Sequence, residues 1–141
     1  MKEKDLVTAC MKTLERDLRD CWLWKINDRS TGGIPDLEVD WRGATTKLEF
    51  KLLQKGQTIH DVWEDGRQLD TCVKLEQQTS RCWIVAYCIG SETHDTTDRT
   101  VIYRPTALLA RKIPITGLDG FFAERLCGTG ALRMFGMNHW P

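Results

Sequence analysis

The stretch GGIPDLEVDWRGATTKLEFK, residues 32–51, predicts a β-hairpin. Residues 37–41 alternate apolar and acidic side chains, which is typical of a half-buried strand. Residues 42–45 contain a glycine and turn the chain back, and residues 46–53 predict the second strand. The rest of the fold is expected to form around these two paired strands.

Polar side chains from the two strands of this hairpin are expected to meet. Side chains alternate between the faces of a strand, so Glu49 and Lys51 share one face and Phe50 points into the core. Asp36 begins the partner strand, and Pro35 before it fixes the backbone and cannot extend the ladder there. The hairpin is therefore expected to bring Asp36 close to Glu49.

Two carboxylates held together need a cation to offset their repulsion. Because no cysteine or histidine lies near them in the sequence, the oxygen ligands favour a hard ion, Mg²⁺ or Mn²⁺, with the backbone carbonyl of Phe50 as a further ligand. Such an ion polarises a phosphoryl oxygen and lowers the pKa of a bound water. Lys51 is expected to stabilise charge on the attacked phosphate, or to orient and deprotonate that water.

Periodicity outside the hairpin predicts an α/β fold. The order is helix, three strands, helix and strand, which gives a mixed sheet flanked by helices. A C-terminal appendage follows, with a strand, a helix that begins at Pro105, a short helix and an aromatic tail. The predicted helices cover residues 2–19, 66–79, 105–111 and 118–126, and the further strands cover residues 21–26, 81–88 and 100–103.

Four tryptophans fall in the predicted strands. We interpret them as core residues, and the alternative is that one near the site stacks an unpaired base. They are Trp22, Trp24, Trp41 and Trp83.

The bulk properties predict a single soluble domain of 141 residues. The chain has 20 basic and 20 acidic residues, which argues against a tight non-specific nucleic-acid coat but leaves a nuclease open. No apolar run reaches membrane-spanning length and the N-terminus is no signal peptide, so we expect a cytoplasmic location without membrane contact. The six cysteines form no CxxC pair and are expected to be mostly buried in a reducing compartment, with no zinc-site spacing.

Pro35-Asp36, twelve intervening residues and Glu49-Phe50-Lys51 resemble the signature of the PD-(D/E)XK phosphodiesterase superfamily, which has a restriction-endonuclease-like fold. The stretch is also similar to the VRR-NUC group and to Holliday-junction-resolvase-like nucleases, many of them phage-borne. The points of similarity are the Gly-x-Pro-Asp entry, the glycine turn, the Glu-x-Lys strand and a glutamine on the next helix. The resemblance covers roughly the first 90 residues, which it implies are the catalytic core of a nuclease. We expect a single nuclease domain over residues 1–141, in which residues 91–141 add a strand, helices and a tail.

By this resemblance, Asp36 and Glu49 are metal ligands and Lys51 is the catalytic lysine. Gln68 matches the helix glutamine beside the site. The separation between Lys51 and Gln68 is longer than expected, which keeps Gln57 as a weaker substitute.

Glu3 has two readings. By the resemblance it matches an acid that many members carry on the first helix, which would make it a further metal ligand. The alternative is a solvent-exposed acid that the helix dipole favours in a first turn.

The implied function is metal-dependent hydrolysis of DNA through its phosphate backbone, with structured or branched DNA favoured and a host-cytoplasmic location if the protein is phage-encoded. Symmetric junction cutting would require a homodimer. Two alternatives stay open at this point. One is a non-catalytic module that binds nucleic acid or protein on a nuclease-like fold, and the other is a small assembly protein that oligomerises through its tail.

Overall fold

The computed structural model describes residues 2–26, 34–54, 56–63, 66–79, 81–89, 99–109 and 120–122. Over these residues the chain is an α/β fold with a mixed six-stranded sheet, two α-helices and one short 3₁₀ helix. In chain order the elements are α1 (Glu3–Asp17), β1 (Trp22–Lys25), β2 (Leu37–Trp41), β3 (Ala44–Leu53), α2 (Gly66–Thr79), β4 (Cys82–Cys88), β5 (Arg99–Tyr103), the 3₁₀ helix (Pro105–Leu109) and β6 (Gly120–Phe122).

The strands lie in the sheet in their chain order, from β1 at one edge to β6 at the other. Every neighbouring pair is antiparallel except β3 and β4, which are parallel. A parallel pair cannot be closed by a tight turn and needs a crossover, and α2 lies in that connection. The predicted helix–strand–strand–strand–helix–strand order is therefore confirmed for the described residues.

The predicted hairpin is confirmed, with a shorter turn than expected. Trp41 pairs with Ala44, so Arg42 and Gly43 alone form the turn and β3 begins two residues earlier than predicted. Arg42 has a φ of 51° and Gly43 a φ of 78°, and positive φ at both central residues matches the right-handed twist of a hairpin. The Arg42 guanidinium lies over the Trp41 ring, 4.7 Å from its centroid.

Each face of the sheet carries its own hydrophobic cluster. Helix α1 packs on one face through a stripe at helical spacing, as the sequence predicts, while α2 and the 3₁₀ helix lie over the other. Strand β4 contributes alternate residues to both clusters, so it is buried on both faces. The α1 stripe consists of Leu6, Val7, Cys10, Leu14 and, just past the helix, Leu18.

For the C-terminal part, the predicted start of a helix at Pro105 is confirmed, and the helix predicted over residues 118–126 is wrong in the described residues. The segment from Pro105 is a 3₁₀ helix that ends at Leu109, and residues 110 and 111 lie outside the described residues. Gly120–Phe122 is a strand rather than part of a helix, because it completes the ladder at the open edge of β5 with aromatic residues that favour strands. The remainder of the predicted helix and the aromatic tail also lie outside the described residues, as do residues 27–33.

The prediction that four tryptophans belong to the core is right for two and wrong for two. Trp41 and Trp83 are buried, whereas Trp22 and Trp24 are 60% and 51% exposed. Their strand, β1, is a short edge strand, so its outward-facing side chains lack the neighbours that an interior strand has.

Among the cysteines whose side chains are described, Cys10, Cys72 and Cys82 are buried free thiols and Cys21 is half-buried. Burial raises the pKa of the Cys10 thiol, which keeps it protonated and inert. In the part of the chain that the structure describes, no helix is long and apolar enough to cross a membrane.

Candidate functional site

Asp36 is fixed at the point where β2 begins. Its backbone carbonyl accepts a hydrogen bond from the N–H of Ile26 at 2.9 Å. Its side-chain Oδ2 accepts one from the N–H of Phe50 at 3.0 Å. The β2–β3 pairing begins at Leu37, opposite Leu48, so the Phe50 N–H lies beyond it and has no partner on β2. The Asp36 carboxyl accepts the hydrogen bond that a longer β2 would otherwise accept.

Glu49 directly precedes Phe50 on β3 and is almost fully buried, with 2% of the residue exposed. The β2–β3 register, continued by one residue, places Asp36 opposite Glu49 on the same face of the sheet. Glu49 Oε1 is 3.4 Å from Lys51 Nζ, while its buried Oε2 has no hydrogen-bond partner among the described residues. The structure thus brings together Asp36 and Glu49, here called the carboxylate pair.

The carboxylate pair resists double ionisation. Burial raises the pKa of Glu49 to about 8; the neighbouring Asp36 adds to the rise, and Lys51 opposes it. Burial also raises the pKa of Asp36, against the lowering effects of the Phe50 N–H and of Lys51. A buried and a half-buried acid that both have raised pKa values are typical of a functional site.

Lys51 is buried as well, with 4% of the residue exposed, and it is held by three groups. Its Nζ donates to Gln68 Oε1 at 2.9 Å, is 3.4 Å from Glu49, and lies 4.7 Å from the centroid of the Trp63 ring. The expected proximity of Gln68 and Lys51 is therefore present despite their separation in sequence. Gln57 instead accepts a hydrogen bond from the N–H of Gln54 in a local turn.

Glu3 starts helix α1 and is exposed to solvent. The negative charge of Glu3 raises the pKa of Glu49, and this is the smallest of the effects on Glu49. The structure therefore places Glu3 in a solvent-exposed first turn, and its role as a metal ligand stays a prediction.

The donor set fits a hard divalent cation. The N–H of Lys47 donates to the carbonyl of Arg81, so the backbone groups of Lys47 point toward β4. Backbone groups reverse direction at each residue of a strand, so those of Phe50, three residues later, point toward the β2 side. The carbonyl of Phe50 therefore points to the same side as its N–H, toward Asp36. The described residues contain no group of three or more His, Cys, Asp or Glu side chains placed to hold a metal. Mg²⁺ commonly uses only one or two carboxylates, with water and phosphate completing its shell, so two carboxylates, one carbonyl and the partnerless Glu49 Oε2 suit it.

Sequence reasoning missed Trp63 as a neighbour of Lys51. Residues 54–65 are mostly polar and lie in no predicted helix or strand, but the described part of this segment buries Ile59 completely. It also packs Val62 and Trp63 against the hydrophobic cluster on the α2 face of the sheet. The signal available in the sequence was the spacing of these three apolar residues within an otherwise polar run.

No protein-family model matches the chain, and the comparison with curated proteins gave no match.

Proposed function

We propose that the chain is a metal-dependent nuclease that hydrolyses phosphodiester bonds in DNA. The observation that carries this proposal is the carboxylate pair itself. Glu49 presents a buried oxygen, Oε2, that has no hydrogen-bond partner among the described residues and lies beside a second, half-buried acid. A cation at that point would satisfy the oxygen and offset the repulsion between the two acids.

In this proposal Asp36, Glu49 and the Phe50 carbonyl hold Mg²⁺ or Mn²⁺, and Glu3 stands beside them as a further acid. The ion, when bound, supplies Lewis acidity toward a phosphoryl oxygen and an activated water. The Phe50 N–H and the Ile26 N–H orient Asp36, so its carboxyl group is directed before substrate arrives.

Lys51 is the proposed catalytic lysine. Its Nζ lies 3.4 Å from Glu49 Oε1 and 4.7 Å from the centroid of the Trp63 ring, and its hydrogen bond to Gln68 directs the ammonium. A preorganised cation that shares the face of the metal ligands stabilises negative charge as it develops on the attacked phosphate.

The resemblance of Pro35-Asp36 and Glu49-Phe50-Lys51 to the PD-(D/E)XK signature supports the same function. The observed element order and the parallel β3–β4 pair across α2 are compatible with a restriction-endonuclease-like core, which we include in the proposal. We propose DNA as the substrate, with structured or branched DNA favoured, and a cytoplasmic site of action.

The test is a cleavage screen of the full chain over labelled single-stranded, duplex and branched DNA, with Mg²⁺, Mn²⁺ or EDTA. We expect cleavage that requires the metal, and a loss on the order of 10²- to 10³-fold for Lys51→Ala or Glu49→Ala. Lys47→Ala and Glu38→Ala are matched controls, because they remove a lysine and a glutamate that pair at 2.6 Å on the same face of the sheet. These controls should cut like the wild type.

Undiminished metal-dependent cleavage by both site variants would overturn the residue assignment. Wild-type binding of DNA without cleavage in either metal would instead assign the chain to the alternative class, a non-catalytic module that binds nucleic acid. Thermal melting of every variant separates loss of chemistry from loss of fold.

A further inference from the structure

Trp22 and Trp24 form an exposed aromatic pair on edge strand β1, here called the tryptophan pair. The two side chains are 60% and 51% exposed, and among the described residues only Leu109 is a comparably exposed large hydrophobic. Their ring centroids are 5.6 Å apart and the ring planes are inclined by 46°. Exposing two tryptophans forgoes a large burial gain, so such a pair on a surface points to a binding role.

The tryptophan pair shares a face of the sheet with the carboxylate pair. Trp24 is opposite Glu38, Glu38 is opposite Lys47, and Lys47 alternates with Glu49 along β3. Residues directly opposite in a sheet project to the same face, as do alternate residues in one strand. With strands about 4.8 Å apart and about 3.4 Å per residue along a strand, Trp24 and Asp36 are separated by about 8 Å at the backbone.

The ring of Trp24 is held in place rather than free to rotate. Its Nε1 donates to Asp40 Oδ2 at 3.2 Å, and the other oxygen of Asp40 accepts from the hydroxyl of Thr45. A flat apolar ring fixed in this way can receive another flat ring with little loss of conformational entropy.

The charges beside the pair indicate which part of a nucleic acid would contact it. Glu38 is bonded to Lys47 at 2.6 Å, and Asp40 is bonded to Trp24 and Thr45, so the nearby side chains are paired with one another. Among the described side chains of this face, Lys47 beside the pair is already bonded to Glu38, and the patch presents aromatic surface, which suits the faces of bases.

We infer that the tryptophan pair is a stacking platform for unpaired nucleobases. By stacking on these bases, the pair would hold a single-stranded segment against the cleavage centre. This inference rests on the proposed nuclease function and narrows its substrate to DNA with an unpaired segment beside the cut bond. Stacked bases are about 3.4 Å apart, so a base on Trp24 is within a few nucleotides of a phosphate at Asp36. Bases inside a duplex cannot reach the platform, because they are already stacked on one another.

The test measures binding without cleavage. A labelled oligothymidylate of about 12 nucleotides, within the span of a single binding fold, is titrated with the full chain in EDTA and followed by fluorescence anisotropy. A blunt duplex of the same length is the comparison. The variants are Trp22→Ala/Trp24→Ala, the aromatic rescue Trp22→Phe/Trp24→Phe, and Leu109→Ala as the control for removal of an exposed apolar side chain.

We expect the double alanine variant to lose roughly 5- to 150-fold in affinity for the single strand per stacked base. The double phenylalanine variant should recover most of that loss, Leu109→Ala should bind like the wild type, and duplex binding should be nearly unchanged. Three results would overturn the inference: no wild-type binding of the single strand, equal binding by the alanine variant, or an equal loss for the duplex.

Light scattering tests whether a second copy of this chain, rather than a nucleic acid, binds to the tryptophan pair. A wild-type dimer that the double alanine variant converts to a monomer would make the pair a self-association surface and would also overturn the inference. Because metal and cleavage do not enter the binding assay, failure of the platform is distinguishable from failure of the nuclease. If the wild type cleaves DNA but the double alanine variant binds the single strand as well as the wild type does, only the platform is refuted. If binding depends on the tryptophans but the wild type never cleaves, only the nuclease function is refuted.

Discussion

Lys51 on β3 and Gln68 on α2 are joined by a hydrogen bond of 2.9 Å from Nζ to Oε1. The two residues are 17 positions apart, and the crossover between the parallel strands β3 and β4 brings them together. The amide oxygen therefore fixes the direction of an ammonium group that is otherwise shared between Glu49 and the Trp63 ring. The position of the proposed catalytic lysine thus depends on α2, although both residues of the carboxylate pair lie outside this helix.

Replacing Gln68 tests this dependence. Gln68→Ala removes an acceptor from Lys51, and loss of an orienting partner of this kind typically costs about 10- to 100-fold in activity. We expect that loss in single-turnover cleavage with Mn²⁺. Gln77→Ala, at an exposed position of the same helix, is the control and should cut at the wild-type rate. Equal rates for the two variants would mean that Gln68 is only a helix-surface residue.

Trp63 is expected to matter through its ring rather than its N–H. Its Nε1 is buried and has no hydrogen-bond partner among the described residues, while the ring face lies 4.7 Å from Lys51 Nζ. A cation–π contact contributes about 0.5–2 kcal/mol, so Trp63→Leu should lower the cleavage rate by about 2- to 30-fold. Trp63→Phe keeps a ring face and should retain most activity. Leucine and phenylalanine variants of equal activity would contradict a role for the ring.

The raised pKa of Glu49 gives the metal-free protein a distinctive pH dependence. The folded protein keeps a proton on Glu49 up to about pH 8, whereas the unfolded chain releases it near its ordinary pKa of 4.5. Between these values the folded state binds more protons, so its stability falls as pH rises through this window. We expect urea unfolding in EDTA to show a loss on the order of a few kcal/mol between pH 5 and pH 8.

Glu49→Gln isolates this contribution, because glutamine has the same shape and does not ionise. The variant should be nearly as stable as the wild type at pH 5 and more stable at pH 8. A wild type whose stability does not fall relative to Glu49→Gln across this range would show that Glu49 is ionised in the folded protein.

The part of the fold that could be predicted is the part governed by local pattern. Alternation at Leu37–Trp41 and the glycine at position 43 were sufficient for the hairpin, and the hairpin carries Asp36 to Glu49. The stripe of α1 and the apolar run of β4 predicted their elements for the same reason. The relation of Gln68 to Lys51 could be proposed only through a family resemblance, because it depends on a crossover whose length the local pattern does not fix.

The failures come from interactions that are remote in sequence. Trp22 and Trp24 have the composition of core residues, but β1 is an edge strand, and its position in the sheet decides their exposure. Gly120–Phe122 has weak helical spacing and becomes a strand because β5 offers an unpaired edge. Trp63 lies in a polar segment, and its contact with Lys51 arises only from the packing of that segment against the sheet.

Metal binding should release a proton from the carboxylate pair. A ligating carboxylate must be ionised, and Glu49, with a pKa of about 8, is mostly protonated below that pH. The affinity for Mn²⁺ should therefore rise by about tenfold per pH unit between pH 6 and pH 7.5, since one proton leaves for each ion bound. Calorimetry in two buffers of different ionisation enthalpy measures that proton directly. Glu49→Gln should lose the site, whereas Glu38→Gln, whose carboxylate is paired with Lys47, should bind like the wild type. A pH-independent Mn²⁺ affinity, or full binding by Glu49→Gln, would place the ion elsewhere on the chain and separate Glu49 from the proposed chemistry.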